Sequence, residues 1–494
     1  MNFLSISYCF FLLSSLGIYW SVNQANQKVW VLLIASIVFY SSLQYQYIPL
    51  LLALIFLNYR IGIELGENTS PGKHKENWQI SNEQWQYAQA DWNNRRLKLL
   101  WIGMSLNILL LFGFKYLPPI FGISSSNNNG LKIIAPLGLS FFTFECISYL
   151  IDVYRGAPAT NKFLDFASYK LFFAKFITGP ITQYHSWENH LKNLSFPVVE
   201  NVVEGLWIIA CGAVKKGILA DNLGIYVDIC FKNLQRAGSG DIWLATIAYG
   251  LQLYLDFSGY VDIARGTALL FGIRLPENFD YPYLSTNIAD FWRRWHITLG
   301  DWLRNYLYFP LGGSRKGLKR TYINLMIVMV ICGIWHGAAL GFVFWGILHG
   351  LALILHRFTD SVSDKYESLE LFWQNPIGIF SAWLLTQSMV FISWITFRLP
   401  NLSESGTALL HLFGHGGDAQ FKEKVYIEAL NTSPSQIGII LVGIFSCMTI
   451  SYIFNRKLKL QLSWILKVVF VPLSIYAVWI LAPQNNLPYI YFDF

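Results

Sequence analysis

The stretch Phe291-Trp292-Arg293-Arg294-Trp295-His296 is followed by Trp335-His336-Gly337, which lies inside the apolar run Ile323–Leu355. A membrane-spanning helix needs about 20 mostly apolar residues, so this run predicts that His336 lies within a bilayer. An ionisable side chain at that depth is energetically costly and marks a functional site. Because an imidazole exchanges protons near neutral pH, we expect acid–base chemistry inside a membrane.

The composition agrees with a membrane protein. Of the 494 residues, 54% are hydrophobic and only 13% are charged, whereas soluble domains carry about 25% charged residues. The six cysteines are scattered without the CxxC spacing of a metal site, and no histidine pair has a third ligand at suitable spacing. We therefore expect an all-α polytopic membrane protein with no metal and no bound cofactor.

Apolar runs along the chain predict about 11–12 transmembrane helices. The candidate spans are Phe3–Trp20, Val29–Ser42, Tyr47–Leu65, Leu97–Tyr116, Ile133–Ile151, Val203–Leu219, Ile242–Phe257, Tyr322–Leu340, Gly341–His356, Ile377–Phe397, Gln436–Phe454 and Trp464–Leu481. The run Phe163–Thr182 is interrupted by Lys170, Lys175 and Gly179-Pro180, which predicts a re-entrant or interfacial segment that is either buried in protein or lines a cavity.

The hydropathy pattern breaks down between about Asp256 and Leu318. The prolines of Leu275–Pro282 predict a turn-rich loop. Asn287, with Asp290 three residues later, indicates a helix start. We predict one amphipathic helix from about Ile288 to Tyr306, on which Trp292, Trp295 and His296 share a face.

The histidines are the first candidates for chemistry. We interpret His336 as a catalytic proton acceptor, flanked by small residues that let a helix or a substrate approach closely. His296 either orients or shares the proton, lines a donor tunnel, or is an interfacial histidine in an aromatic girdle. For His349 we favour a structural role, with a contact to substrate as the alternative. A nucleophilic pair of Cys332 with His336 is conceivable, but the position favours a small packing residue.

Other side chains complete the candidate substrate-binding set. Asp262 and Arg265 are three residues apart, so a local ion pair is the simplest account; the alternative is that Asp256 or Asp262 orients a histidine or binds an acceptor hydroxyl. Trp335, Asn324 or backbone amides near Gly333 are candidate oxyanion donors. The full set is Trp335, Asp256, Asp262, Trp292, Trp295, Asn324 and His349.

Positive charge is concentrated in one segment. Seven bases and a single acid, Asp301, lie between Arg293 and Arg320. Such clusters beside membrane helices face the cytoplasm and its anionic lipids, or they bind an anionic donor such as the phosphates of coenzyme A or an acidic carrier protein. The candidate donor-docking residues are Arg293, Arg294, Arg304, Arg315 and Lys316. Nothing indicates nucleic-acid binding.

An ordered set of motifs closely resembles the membrane-bound O-acyltransferase (MBOAT) family, in its bacterial branch typified by the membrane subunit of alginate O-acetylation. The motifs are Pro136–Phe144, Tyr149–Arg155, Gly179-Pro180-Ile181, Asp256–Tyr260, Asn278–Pro282, Phe291–His296, Tyr308–Ser314 and Trp335-His336-Gly337. The resemblance places the family's catalytic histidine at His336 and the histidine of its second conserved region at His296. It implies a single membrane domain over residues 1–494, with N-terminal helices (1–130), a core (131–356) and C-terminal helices (357–494), around a central tunnel.

The resemblance also implies a function. We expect transfer of a short acyl group, most simply acetyl, from a cytoplasmic thioester (acetyl-coenzyme A, another acyl thioester or an acyl carrier protein) to a hydroxyl of an extracytoplasmic polysaccharide or its carrier. The protein would be a multi-pass protein of the bacterial inner membrane. An extracytoplasmic acetyltransferase partner is one expectation. Two alternatives stay open, namely D-alanyl transfer to teichoic acid from a carrier protein and transport of acyl groups to a separate transferase.

Overall fold

The computed structural model describes residues 3–66, 94–121, 134–192, 196–484 and 487–490. The regular elements of these ranges are helices, apart from one isolated antiparallel bridge between Phe279 and Trp295. The predicted all-α class is therefore confirmed. The described residues form two compact units, one from Met1–Ile209 with Val261–Pro276 and one from Ala210–Tyr260 with Glu277–Phe494. The predicted three-part division of one domain stays a prediction.

The first unit contains the N-terminal helices. They are α1 (Ile6–Ser21), α2 (Ala25–Gln44), α3 (Ile48–Gly66), α4 (Asn94–Lys115), α5 (Leu139–Tyr154), α6 (Phe163–Leu171), α7 (Tyr184–Lys192) and most of α8 (Val199–Ala213). All sixteen residues of α5 are buried, so protein surrounds this helix on every side.

The second unit carries the motifs of interest. A π-helical turn (Val214–Ala220) leads into α9 (Asp221–Lys232), and α10 (Ser239–Leu270) contributes its first part here. The further helices are α11 (Ile288–Arg294), α12 (Ile297–Leu303), α13 (Leu318–His336), α14 (Leu340–Ser363), α15 (Glu367–Gln374), α16 (Pro376–Arg398), α17 (Leu402–His411), α18 (Pro434–Tyr452) and α19 (Trp464–Leu481).

Seven helical segments of the described residues are long and apolar enough to cross a membrane. They are Ala25–Gly66, Asn94–Lys115, Leu318–His336, Leu340–Ser363, Pro376–Arg398, Pro434–Lys457 and Trp464–Leu481. The first of them consists of α2 and α3, separated by a turn at Tyr45–Tyr47, and α1 is a shorter apolar helix. The predicted spans near residues 133–151, 203–219 and 242–257 are helical but outside this set, and Ile133 itself lies outside the described residues. The multi-pass character is confirmed.

The interrupted run Phe163–Thr182 is a short helix followed by turns, held by a buried ionic cluster. Glu145 of α5 accepts hydrogen bonds from Lys175 Nζ at 2.5 Å, Lys170 Nζ at 3.3 Å and Thr182 N at 3.1 Å. Both lysine side chains are at most 2% exposed. The charges that break the apolar run are thus buried in protein, as the sequence predicts.

Candidate active site

His336 lies at the end of a tight helical hairpin formed by α13 and α14. A Cβ atom on Gly333 would lie 2.3 Å from the carbonyl oxygen of Phe342, and one on Gly346 would lie 2.4 Å from that of Met329. Only glycine permits this backbone approach. The small residues around His336 therefore serve helix packing, as expected from the sequence.

The imidazole of His336 is 3% exposed and packs among aromatic rings. Its centroid lies 4.7 Å from that of Trp335, 5.2 Å from that of Trp345 at an interplanar angle of 88°, and 4.9 Å from that of Phe397 on α16. The histidine thus stands in a largely apolar environment, where a hydrogen bond or a charge acts more strongly than in water. The predicted tunnel leading to it stays a prediction.

His349, two turns into the next helix, is fully buried, and both of its ring nitrogens are engaged. Trp292 Nε1 donates to its Nδ1 at 3.3 Å, and its Nε2 lies 2.9 Å from Ser393 Oγ. An indole N–H only donates, so Nδ1 is unprotonated and Nε2–H donates to Ser393, whose hydroxyl donates to the carbonyl of Val390 at 2.7 Å. These bonds hold His349 as one neutral tautomer and support the structural interpretation.

A cluster of tryptophans extends from His336 to the 291–296 motif. Trp345 lies 5.8 Å from Trp292 and 5.9 Å from Trp394, and Trp394 lies 5.0 Å from Trp295, all between ring centroids. We call Trp292, Trp295, His336, Trp345, His349, Trp394 and Phe397 the aromatic cluster. The structure thus brings together most of the histidines and tryptophans singled out in the sequence.

Sequence reasoning missed the contribution of α16 to this cluster. Ser393, Trp394 and Phe397 are each at most 2% exposed. The sequence feature that could have indicated this contribution is the polar and aromatic composition of Ser393–Phe397 within an otherwise apolar run. The indole Nε1 atoms of Trp345 and Trp394 are buried and have no hydrogen-bond partner among the described residues.

The prediction of one continuous amphipathic helix over 288–306 is wrong, because the helix is broken at His296. Asn287 does cap α11 through Asp290 N, as predicted. Trp295 is then extended, in the bridge with Phe279, and His296 has φ 45° and ψ 54°. A left-handed backbone is uncommon for any residue other than glycine, and such strain is typical of functional sites. As a result the His296 ring packs against the ring of Phe257, with 4.8 Å between the ring centroids.

Asn278, which begins one of the family motifs but was given no role from the sequence, holds this break. Its Oδ1 accepts from Thr298 N at 3.0 Å and Thr298 Oγ1 at 2.9 Å, and it lies 3.2 Å from His296 Nδ1. Its backbone oxygen accepts from Ile297 N at 2.9 Å. Because a carbonyl oxygen only accepts, Nδ1 of His296 carries the proton. Burial lowers the pKa of His296 to about 3, so its imidazole is neutral near pH 7.

Asp256 belongs to a buried ionic cluster, which favours the structural interpretation over a substrate contact. Lys216 Nζ lies 2.6 Å from Asp256 Oδ1 and 2.7 Å from Asp221 Oδ1, and all three side chains are at most 2% exposed. The other oxygen of Asp256 accepts from Ile490 N at 3.1 Å. Sequence reasoning missed Lys216, which stands in the π-helical turn, an element frequent at special sites.

Asp262 and Arg265 are in the first unit. Their closest side-chain atoms are 3.7 Å apart, in an i,i+3 ion pair. The simpler interpretation of this carboxylate, a local pair on one helix face, is therefore the one that the geometry supports.

Asn324 serves to anchor a loop. Its Nδ2 donates to the carbonyl oxygens of Gly313 at 2.9 Å and Leu311 at 3.4 Å. It stands twelve residues before His336 on the same helix, which is about 18 Å at 1.5 Å per residue. This distance argues against Asn324 as an oxyanion donor for chemistry at His336; the assignments of Asn324 and Trp335 as substrate-binding residues stay predictions.

The predicted donor-docking bases differ in their surroundings. Arg294 pairs with Asp290 at 2.8 Å, and Arg304 pairs with Asp301 at 2.7 Å. Arg293, Arg315 and Lys316 are exposed and form no ion pair with another described residue. Within the described ranges, no three His, Cys, Asp or Glu side chains are grouped as metal ligands, and the six cysteines are free thiols.

Comparison with known proteins identifies the class that this fold and site define. Residues 139–395 match the membrane-bound O-acyltransferase (MBOAT) family. A probable alginate O-acetylase of Pseudomonas putida is 32% identical over 508 residues, which cover 97% of this chain and 97% of that protein. A peptidoglycan O-acetyltransferase of Helicobacter pylori is 34% identical over 426 residues, covering 80% and 75% of the two chains. A teichoic acid D-alanyltransferase of Streptococcus thermophilus is 26% identical over 345 residues, covering 65% and 80%.

The chain therefore belongs to the MBOAT family, and it is a membrane O-acyltransferase. The matched residues contain His296, His336 and His349.

Proposed function

We propose that this protein transfers an acetyl group from a cytoplasmic thioester to a hydroxyl of an extracytoplasmic polysaccharide, in a bacterial inner membrane. Relatives named as O-acetylases of alginate and peptidoglycan support both the acyl group and the class of acceptor. The observation that carries the mechanism is the placement of the His336 imidazole at the end of a membrane span, inside the buried aromatic cluster.

In the proposed reaction, His336 is the general base. The acceptor oxygen forms a bond with the acyl carbon as its proton passes to His336, the C–S bond breaks, and the proton returns to the leaving thiolate. A positioned base of this kind contributes about 10²–10⁴-fold to the rate. His296 is the second histidine of the proposal; Asn278 holds its proton on Nδ1, so Nε2 is the nitrogen through which it would accept.

The tetrahedral intermediate needs a hydrogen-bond donor in a dry site. The indole N–H of Trp345 fits this role, because its ring lies beside that of His336 at 88° and its Nε1 has no acceptor among the described residues. A buried donor without an acceptor costs about 1–3 kcal/mol, a cost that an acyl oxygen bound beside His336 would offset.

The donor is an acyl thioester of coenzyme A or of a carrier protein, and it docks through phosphate groups on exposed bases. Arg293, Arg315 and Lys316 are the bases available for such a contact, since Arg294 and Arg304 already have carboxylate partners. Guanidinium and ammonium groups bind phosphate through charge-assisted hydrogen bonds. No cofactor is expected to stay bound between turnovers.

The test uses protein reconstituted into vesicles with labelled acetyl-coenzyme A and a soluble oligosaccharide. His336→Gln is expected to abolish ester formation, and His356→Gln, an i,i+4 partner of Asp360 on the same hairpin, is the matched control. Wild-type turnover of His336→Gln would contradict the mechanism. Label that crosses the vesicle membrane without forming an ester would identify a transporter that feeds a separate transferase. A parallel assay with D-alanyl carrier protein and teichoic acid tests the other alternative, and activity in that assay alone would identify the teichoic acid reaction.

A further inference from the structure

An apolar groove lies on the second unit, and none of its lining residues is assigned to transfer. Its volume is about 610 Å³, and its walls are six residues of α14 between Leu348 and Phe358, Tyr322 of α13, and Met389 with Ile392 of α16. All three helices are candidate membrane spans. The groove is therefore positioned where lipid chains surround the protein.

The packing of α13 on α14 places charge at one end of this groove. The two helices run antiparallel, with Gly333 against Phe342 and Gly346 against Met329. Continuing this pairing towards the start of α13 places Lys319 and Arg320 opposite residues 355–356 of α14. They are therefore close to Arg357, which is next to the groove residue Phe358.

The positive charges of these three bases are not paired with a carboxylate of the described residues. Lys319, Arg320 and Arg357 are exposed, and none forms an ion pair with another described residue. Asp360, the nearest acid on α14, forms no ion pair with any of the three bases; its closest basic partner is His356, at 3.4 Å. An anionic group at this end of the groove would thus meet several unneutralised cations.

The dimensions match one leaflet. From Leu348 to Phe358 is ten residues, or about 15 Å along the helix axis, and half of a bilayer's hydrocarbon core is also about 15 Å. A phospholipid has this shape, with an apolar chain of one leaflet's depth and a phosphate at its end.

We propose that this groove is a specific binding site for an anionic phospholipid, with one acyl chain along α14 and the phosphate on Lys319, Arg320 and Arg357. The site uses other side chains than the proposed donor dock, which consists of Arg293, Arg315 and Lys316. It does not depend on the transfer chemistry. Phosphatidylglycerol is the probe for this class of lipid.

Native mass spectrometry of the full chain in detergent tests the site through the dissociation constant of the first phosphatidylglycerol. We expect the Lys319→Gln/Arg320→Gln/Arg357→Gln variant to bind about 100-fold more weakly, since each surface base contributes about 1 kcal/mol, or about fivefold. Lys422→Gln/Lys424→Gln, at exposed bases outside the groove, should bind like the wild type. Leu348→Trp should fill the groove and abolish binding, whereas Ile439→Trp, at a 70% exposed position of α18 outside the groove, should not.

Two ligand controls complete the test. Phosphatidylcholine of the same chain length should bind at least tenfold more weakly, and glycerol phosphate should not displace the lipid. Equal binding of the two lipids, unchanged affinity in the triple variant, or unchanged affinity in Leu348→Trp would each overturn the proposal. Displacement by glycerol phosphate would instead assign the bases to a free phosphate.

Discussion

Replacing Lys216 by methionine is expected to destabilise the protein strongly while sparing the chemistry. Lys216 Nζ stands 2.7 Å from Asp221 and 2.6 Å from Asp256, and the three side chains are at most 2% exposed. Methionine keeps most of the side-chain length but leaves two carboxylates buried without their cation. Removing one partner from a buried pair costs about 3–5 kcal/mol, and we expect a loss of that size for Lys216→Met.

Neutral replacement of the whole cluster separates charge from packing. The variant Lys216→Met/Asp221→Asn/Asp256→Asn has no buried charge at this site, so most of the lost stability should return. The measurement is the free energy of unfolding in mixed detergent micelles, followed by tryptophan fluorescence. Two outcomes would contradict the importance of this charge balance. One is a Lys216→Met variant as stable as the wild type, and the other is a triple variant with a lower free energy of unfolding than Lys216→Met.

The same cluster determines whether Asp256 contacts substrate. Asp256→Asn should lower stability but leave kcat and KM per folded molecule close to the wild-type values, because its oxygens are occupied by Lys216 and the backbone of Ile490. A raised KM for the acceptor with unchanged stability would restore Asp256 as a substrate-binding residue.

A pH titration provides an independent check. Burial raises the pKa of Asp221 to about 6 despite Lys216, whereas an unfolded aspartate has a pKa of about 3.9. The raised pKa stabilises the folded protein below about pH 3.9, and this contribution is lost as the pH rises through 6. His296 acts in the opposite direction, since its lowered pKa makes folding less favourable below about pH 6.5. The difference in unfolding free energy between wild type and Asp221→Asn should therefore vary between pH 4 and 7, and a flat difference would refute the assignment.

Three further substitutions test the active site and its support. Ser393→Ala should lower the unfolding free energy by about 1–3 kcal/mol because it leaves Nε2–H of His349 without its acceptor, whereas Ser393→Thr, which keeps a hydroxyl, should lose less; equal values would contradict the network. Trp345→Phe should reduce turnover about 10²–10³-fold if its N–H binds the oxyanion, and Trp187→Phe, which removes another buried N–H without a described acceptor, should keep full activity; equal turnover in the two would exclude Trp345 from the chemistry. Gly346→Ala should cost about 1–3 kcal/mol by forcing α13 and α14 apart. Gly443→Ala, inside α18 and with nothing within 4 Å, should keep or slightly raise the stability in the same unfolding assay.

Much of the site was predictable because its signals are local. An apolar run of membrane length with an internal histidine indicates a buried functional group, and the small residues flanking His336, such as Gly333, indicate close helix packing. The pairing of Asp262 with Arg265 likewise follows from spacing on one helix.

The remainder depends on contacts between distant parts of the sequence. The helix breaks at His296 because the amide oxygen of Asn278, eighteen residues earlier, binds both His296 and Thr298. Asp256 is neutralised by Lys216, forty residues earlier. Periodicity within one segment carries no information about such partners, so the unbroken amphipathic helix was a reasonable but incorrect prediction.

The stacked indoles of Trp345 and Trp394 give this enzyme a built-in spectroscopic reporter. Their planes are 20° apart with centroids at 5.9 Å, close enough for their electronic transitions to couple and shape the near-ultraviolet circular dichroism. Because His336 lies beside Trp345, a molecule that binds at His336 should change the near-ultraviolet circular dichroism, and no attached dye is needed. Occupancy of the reaction centre should thus be observable optically even for compounds that are never turned over.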